Sequence, residues 1–139
     1  MNGAGRERLL LAFVGDDFTG STGVMESFAL AGVRSVLFLK PPALADLARF
    51  PGVRVVGVAG MSRTMSPAEM DRELPPVFAA GKALDASIFQ YKVCSTFDSS
   101  PEVGSIGRAL ELGQETFRSP FVPMVVAAPY IRRYQAFGG

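Results

Sequence analysis

"LLLAFVGDDFTGSTG", residues 9–23, decides the fold. Its first six residues are a short continuous apolar run, the pattern of a strand buried on both faces of a sheet. Two carboxylates, Asp16 and Asp17, follow at once. Beyond them Val24, Met25, Phe28 and Ala31 recur at helical spacing as far as Gly32, a C-terminal stop. A strand turning directly into a helix is the first unit of an α/β fold, and that junction is where such folds place ligands. Here it offers negative charge and hydroxyls in place of the glycines that cradle a phosphate. It suits a polyol, a metal ion or a proton to be abstracted.

The pattern repeats outward from this unit. "SVLFL" (35–39) reads as a second strand, followed by a Pro-Pro pair and a short helix around "ALADLARF". "VRVVGVAG" (53–60) reads as the third strand. "SPAE" (66–69) then opens a helix with Ser66 as N-cap, Pro67 at the first helical position and Glu69 completing a capping box. Pro75 and Pro76 predict a break in that helix before it ends near Leu84. "SIFQYKVC" (87–94) is a fourth strand, "GSIGRALELGQETF" (104–117) a further helix with Ile106, Ala109, Leu110, Gly113 and Phe117 on one face, and "FVPMVVAAP" (121–129) a fifth strand. Strand and helix alternating in this way predict a doubly wound, mostly parallel sheet of five or six strands with helices on both faces, a Rossmann-like three-layer α/β fold. The tail "YIRRYQAFGG" carries no clear element.

Composition narrows the chemistry. At 139 residues and 48% hydrophobic, the chain is one domain's worth and can bury a core. A net charge of +1 gives no broad attraction to nucleic acid or to an anionic membrane. Histidine is absent and Cys94 is the only cysteine, which excludes an intramolecular disulfide, thiolate clusters, most zinc sites and histidine-based triads. Acid–base work falls to Asp, Glu, Lys or Tyr. Leu9–Val14 is shorter than the core of a signal peptide and runs straight into two acids, and no segment has the length of a membrane span; a cytoplasmic protein is expected.

The loops leaving the strands share one polar theme. Asp16, Asp17, Thr19, Ser21 and Thr22 follow the first strand, Ser62, Arg63 and Thr64 the third, and Lys92, Ser95, Thr96, Asp98, Ser99 and Ser100 lie at the end of the fourth. In a parallel sheet these loops line one edge. Carboxylates, hydroxyls, an arginine and a lysine converging there suit a hydroxylated carboxylic acid, the cations meeting its carboxylate and the acids its hydroxyls. Plainer readings stand beside these. Asp17 or Thr19 also serves as a helix cap, "STFDSS" as a polar turn, Lys92 as a snorkelling strand residue and Cys94 as a small buried hydrophobe. "GSIG" (104–107) is a weak imitation of a phosphate-binding helix start, and no P-loop or G-x-G-x-x-G follows any strand.

Taken together the motifs are familiar. "DDFTGSTGVMESFALAG" resembles the opening D-D-[FL]-T-G-[AS]-x-[DE] motif of the four-carbon acid sugar kinase family. The "SR" at 62–63 resembles its second motif, "YKVCSTFDSSPEVGSIGRALELG" its third, and "VAAPYIRRYQAFG" the segment closing its N-terminal domain. The resemblance implies a two-domain enzyme that phosphorylates acid sugars such as threonate, erythronate or 3-oxo-tetronate with ATP and Mg²⁺. Residues 1–139 would be the sugar-acid-binding N-terminal domain, and a C-terminal partner domain would bind the nucleotide. Asp16, Asp17, Thr19 and Gly20 match the first motif, Ser62 and Arg63 the second, and Lys92, Ser95 and Thr96 the third. By that match Asp16 or Asp17 takes the proton of the attacked hydroxyl, while Arg63 and Lys92 bind the carboxylate; no metal ligand is assigned within this chain.

Two departures stand out. Many members read K-x-D-S-T-x-R-G at the third motif, whereas this chain has Cys94 in place of that Asp and Asp98 in place of that Arg. A different acid sugar is therefore expected to fit. The sequence also stops before any nucleotide domain, so the chain alone is expected to lack kinase activity. A stand-alone sugar-acid sensor and an inactive truncated remnant are the alternatives, and a second copy of the chain stands among the expected partners.

Overall fold

Four parallel strands carry the structure: β1 (Leu11–Gly15), β2 (Ser35–Phe38), β3 (Val55–Ala59) and β4 (Ile88–Lys92), in the spatial order β2-β3-β1-β4. Helices α1 (Phe18–Leu30), α2 (Pro67–Ala83) and α3 (Ile106–Phe117) and three short 3₁₀ turns connect them. The computed structural model describes residues 7–137; residues 1–6 and 138–139, with the start of the leader-like N-terminus and the last two residues of the tail, lie outside it.

Strand alternation builds the layers. Leu11 and Phe13 of β1 and Val55 of β3 face one way and pack under Val24, Met25 and Phe28 of α1. Val14 and Val58 face the other way, onto Met70, Leu74 and Phe78 of α2 and Ala109 and Leu112 of α3. Phe13, Val55, Met70 and Phe78 are each at most 1% exposed. Burial of such side chains, about 1.5–3 kcal/mol apiece, is what holds the three layers together. The α/β class and the helices on both faces are thus as the sequence predicts.

Four expectations need correction. The sheet has four strands, because residues 121–127 pair with nothing. Pro123 removes a donor from the middle of that apolar run. Val122 and Val125 stay exposed, and the segment lies beside β4 and α3 as one wall of an apolar groove of about 610 Å³. Second, α2 runs unbroken through Pro75 and Pro76. Its predicted capping box is present, and Met70, Leu74, Phe78 and Gly81 are buried at helical spacing, which offsets the hydrogen bonds the prolines cannot make. Third, α3 begins at Ile106 with Ser105 as N-cap, and Leu112 replaces Leu110 in the buried set. The stretch predicted as a short helix after the Pro-Pro pair is a 3₁₀ helix, Leu44–Arg49.

The topology opens a crevice. β1 and β3 are neighbours, yet the chain leaves β1 for α1 on one face and β3 for α2 on the other. Adjacent strands whose connections part in this way form a switch point, the place where open α/β sheets bind ligands. Among the described residues no helix is long and apolar enough to cross a membrane.

Candidate functional site

Asp16 extends β1 by one residue into this crevice. Its N–H donates to the carbonyl of Lys92 at 2.9 Å, and its carbonyl accepts from the Arg63 N–H at 3.1 Å, so it is held between the ends of β4 and β3. The side chain continues the alternation of Ala12 and Val14 toward the α2 side and is buried, with the residue 3% exposed. A carboxylate so placed needs a partner. Arg63 supplies one bidentately, Nε donating to Oδ2 at 3.1 Å and Nη2 to Oδ1 at 3.0 Å. The hydrogen bonds and charge of Asp16 raise the Arg63 pKa above its ordinary value.

Asp17 leaves the ladder. It is the N-cap of α1, its Oδ1 accepting from the Gly20 N–H at 2.8 Å while Ser21 Oγ donates to its carbonyl at 2.6 Å. Its Oδ2 lies 3.2 Å from Arg63 Nη1. One guanidinium therefore holds both carboxylates, Asp16 buried and Asp17 with about a quarter of its side chain open to solvent. The cap reading of Asp17 is thus observed, and the same side chain also meets Arg63. Gly20 is confined by this cap: a Cβ there would lie 2.5 Å from Asp17 Oδ1 and 3.6 Å from Lys92 Nζ. Thr19 is exposed in the first turn, its carbonyl accepting from Thr22 Oγ1.

The 3₁₀ turn Ser62–Thr64 aims Arg63, and two contacts fix that turn. Ser62 is 1% exposed and its Oγ shares a 2.7 Å hydrogen bond with Tyr91 Oη. The Tyr91 ring packs edge-on against Phe78, so the hydrophobic core reaches the site through this phenol. Burial pushes the Tyr91 pKa up to about 12 and keeps it a neutral hydrogen-bonding group. On the other side Gly104, at φ +63°, brings its backbone against Arg63; a Cβ there would lie 2.4 Å from the Arg63 carbonyl oxygen. "GSIG" thus serves close backbone approach.

The loop after β4 completes the rim. Lys92 Nζ donates to the Val93 carbonyl. Thr96 Oγ1 donates to Asp98 Oδ2 at 2.6 Å, and Ser95 Oγ accepts from Arg133 of the tail. Hydrogen bonds with Thr96, aided by the nearby charges of Arg63 and Lys92, lower the pKa of the Cys94 thiol. A cleft of about 490 Å³, within the size range of small-molecule sites, is lined by Arg63, Phe97, Asp98, Ser99, Ser100 and Val103.

The candidate site residues read from the sequence thus lie at the carboxyl end of the sheet, in the last residue of β4, the 3₁₀ turn after β3, the first turn of α1 and the loops beside them, but Arg63 faces the acidic pair. The parts played by Tyr91 and Arg133, and the close approach of Gly104 to Arg63, emerge only from the structure. A tyrosine in phase with Phe89 on the half-buried face of an edge strand, whose hydroxyl needs a partner, is the signal available for the first. The tail has no local signal for Arg133.

These features define an α/β ligand-binding domain whose site is acidic and hydroxyl-rich. The chain belongs to the sugar-binding N-terminal domain family, whose model matches residues 11–139. A 3-oxo-isoapionate kinase of Paraburkholderia graminis is 60% identical over 130 residues, covering 94% of this chain and 28% of that protein. A 3-oxo-tetronate kinase of Burkholderia multivorans is 34% identical over 104 residues, covering 75% of this chain and 23% of that protein. The chain thus spans about a quarter of the length of these relatives. Among solved structures, a putative tRNA synthase of Salmonella typhimurium aligns with a TM-score of 0.67 at 21% identity, over 80% of this chain and 26% of that one. A domain of unknown function from Bordetella bronchiseptica, a domain-swapped dimer with bound citrate, aligns with a TM-score of 0.66 at 21% identity, over 79% and 27%. At that identity the two structures support the fold.

Proposed function

We propose that this chain is the acid-sugar-binding domain of an ATP-dependent kinase and that its substrate is 3-oxo-isoapionate or a close 3-oxo sugar acid. The observation that carries the reading is the acidic pair at the switch point, clamped by one arginine. Its choice of substrate rests on the 60% identity to the 3-oxo-isoapionate kinase against 34% to a 3-oxo-tetronate kinase. The altered third loop, with Cys94 and Asp98, agrees with a substrate other than the common four-carbon acids.

The two carboxylates divide the work. Asp16 is the buried anchor that orients Arg63. Asp17 is the carboxylate open to a ligand: each of its oxygens has one partner and can accept one more, so it receives a substrate hydroxyl and takes its proton. Lys92, beside the start of α1, and the hydroxyls of Thr19, Ser95 and Thr96 bind the remaining polar groups of the sugar.

The residues present do not fit ATP or its metal. A triphosphate needs backbone N–H groups or cations, and the strand-to-helix loop offers two carboxylates instead. Among the described residues no group of three or more Asp, Glu, Cys or His side chains converges to hold Mg²⁺. On this reading the nucleotide and Mg²⁺ are held mainly by a second domain of the complete protein.

The test is ADP release by the complete protein with 3-oxo-isoapionate, 3-oxo-tetronate, threonate and erythronate as acceptors. The expected result is saturable turnover with the highest kcat/KM for 3-oxo-isoapionate. Turnover with none of the four refutes the reading.

A further inference from the structure

A sugar acid brings a carboxylate of its own, and the arginine expected to meet it is engaged elsewhere. Three nitrogens of Arg63 face Asp16 and Asp17 at 3.0–3.2 Å. Two carboxylates thus share that guanidinium, and Asp98 lines the same cleft. A third carboxylate on Arg63, from the substrate, would meet net repulsion there. Lys92 spends one donor on the Val93 carbonyl and sits near Asp17 and the start of α1. The carboxylate end of the ligand needs another cation.

The tail brings one. Residues 128–133 fold into a closed turn: Ala128 and Arg133 exchange backbone hydrogen bonds of 2.9 and 3.2 Å, around a 3₁₀ turn at Pro129–Ile131. Arg132 at φ +61° reverses the chain, and Gln135 Oε1 accepts from the Val126 N–H at 3.2 Å to tie the segment a second time. This turn delivers the Arg133 side chain to Ser95 Oγ, in the loop that also holds Cys94, Thr96 and Asp98. Arg133 forms no ion pair among the described residues. It is exposed, and one nitrogen on Ser95 leaves most of its five donors open.

We infer that Arg133 is the residue that binds the substrate's carboxylate, with Ser95 holding its guanidinium in place, while Arg63 orients the acidic pair that binds the hydroxyl end. The inference rests on the acid-sugar reading above. It assigns the two ends of the ligand to different arginines: Arg63 from the loop after β3, and Arg133 from a segment the sequence leaves without an element. A guanidinium is suited to the task because its planar fork matches a carboxylate bidentately.

The experiment is steady-state kinetics of the complete protein with 3-oxo-isoapionate and with its neutral primary amide. For Arg133→Met, KM for the acid is expected to rise about 10- to 100-fold with kcat within about threefold, while KM for the amide changes by no more than about twofold. Arg133→Lys, which keeps the charge and loses the fork, is expected to raise KM for the acid by about 3- to 10-fold. Should Arg133→Met fail to fold, as read from its melting temperature, Arg133→Lys and Ser95→Ala carry the test, the latter with a rise of about threefold. Wild type and variants that discriminate acid from amide equally overturn the inference and leave the kinase reading intact. A wild type that turns over neither compound overturns the substrate reading on which the inference stands.

Discussion

Replacing Asp16 and Asp17 one at a time by Asn separates a stability role from a chemical one. Asp16→Asn keeps the shape of a side chain that is 5% exposed but removes one charge of a bidentate pair. Breaking a buried ion pair from one side costs about 3–5 kcal/mol. Two features reduce that here: Arg63 is a quarter exposed, and Asp17 remains as a second carboxylate at 3.2 Å. A loss of about 2–3 kcal/mol follows. For a chain of this length each kcal/mol shifts melting by roughly 3–5 °C, so the drop should be roughly 6–15 °C. Turnover of the complete protein should fall as well, because Arg63 loses the partner that aims it.

Asp17→Asn should behave in the opposite way. Asn caps a helix as well as Asp, and Asp17 is partly exposed, so melting should stay within about 0.5 kcal/mol of wild type. Turnover should drop by about 10²- to 10⁴-fold through loss of the proton acceptor. The assay reads melting by circular dichroism beside ADP release. An Asp16→Asn variant that melts with wild type, or an Asp17→Asn variant that keeps normal turnover, refutes the division of labour between the two carboxylates. Asp98 is then the next acid to test.

Further predictions follow from the contacts around this pair. Tyr91→Phe should cost about 1–2 kcal/mol, because it leaves Ser62 Oγ without its partner at 1% exposure; an unchanged denaturation midpoint would refute it. The same phenol should ionise only near pH 12, as an ultraviolet titration up to that pH would show; ionisation near the ordinary tyrosine value would contradict its burial. Gly104→Ala should cost more than about 1 kcal/mol, from its positive φ and the clash with the Arg63 carbonyl, and should lower turnover by displacing the Arg63 turn; normal melting and turnover together would refute that coupling. Cys94 should react with iodoacetamide at a pH below that of an ordinary thiol, since a lowered pKa means thiolate is present at lower pH. Thr96→Val should raise that pH again, and an ordinary pH–rate midpoint in the wild type would refute the effect.

What could be read from the sequence follows from which interactions are local. Strands β1 to β4 fall within two residues of where their apolar runs place them, and the Ser66–Glu69 capping box appears as its spacing predicts. Caps and strand runs are decided by neighbours in the chain. "FVPMVVAAP" fails as a strand because apolar content alone does not separate a paired strand from a segment packed along a sheet edge. Pairing depends on a distant partner, and Pro123 stands in the way. The prolines of α2 mislead in the other direction, since burial of its apolar stripe on the sheet overrides a local breaker.

The site shows the same division one level down. Sequence places Asp16 and Asp17 side by side with equal claims, and the backbone separates them. Asp16 still belongs to the ladder, bonded to Lys92 on one side and Arg63 on the other, so strand alternation sends its side chain inward. Asp17, at φ −146° and ψ 165°, is the first residue outside the ladder and faces the helix start. Arg63 then finds a buried acid before it can find a ligand, and the carboxylate pair becomes a fixed acceptor rather than a free anionic patch. A site arranged this way spends its own arginine on its own acids. On the inference above the cation for a carboxylate ligand comes from elsewhere in the chain, and the separation of 38 positions between Ser95 and Arg133 is why no motif at the strand ends discloses it.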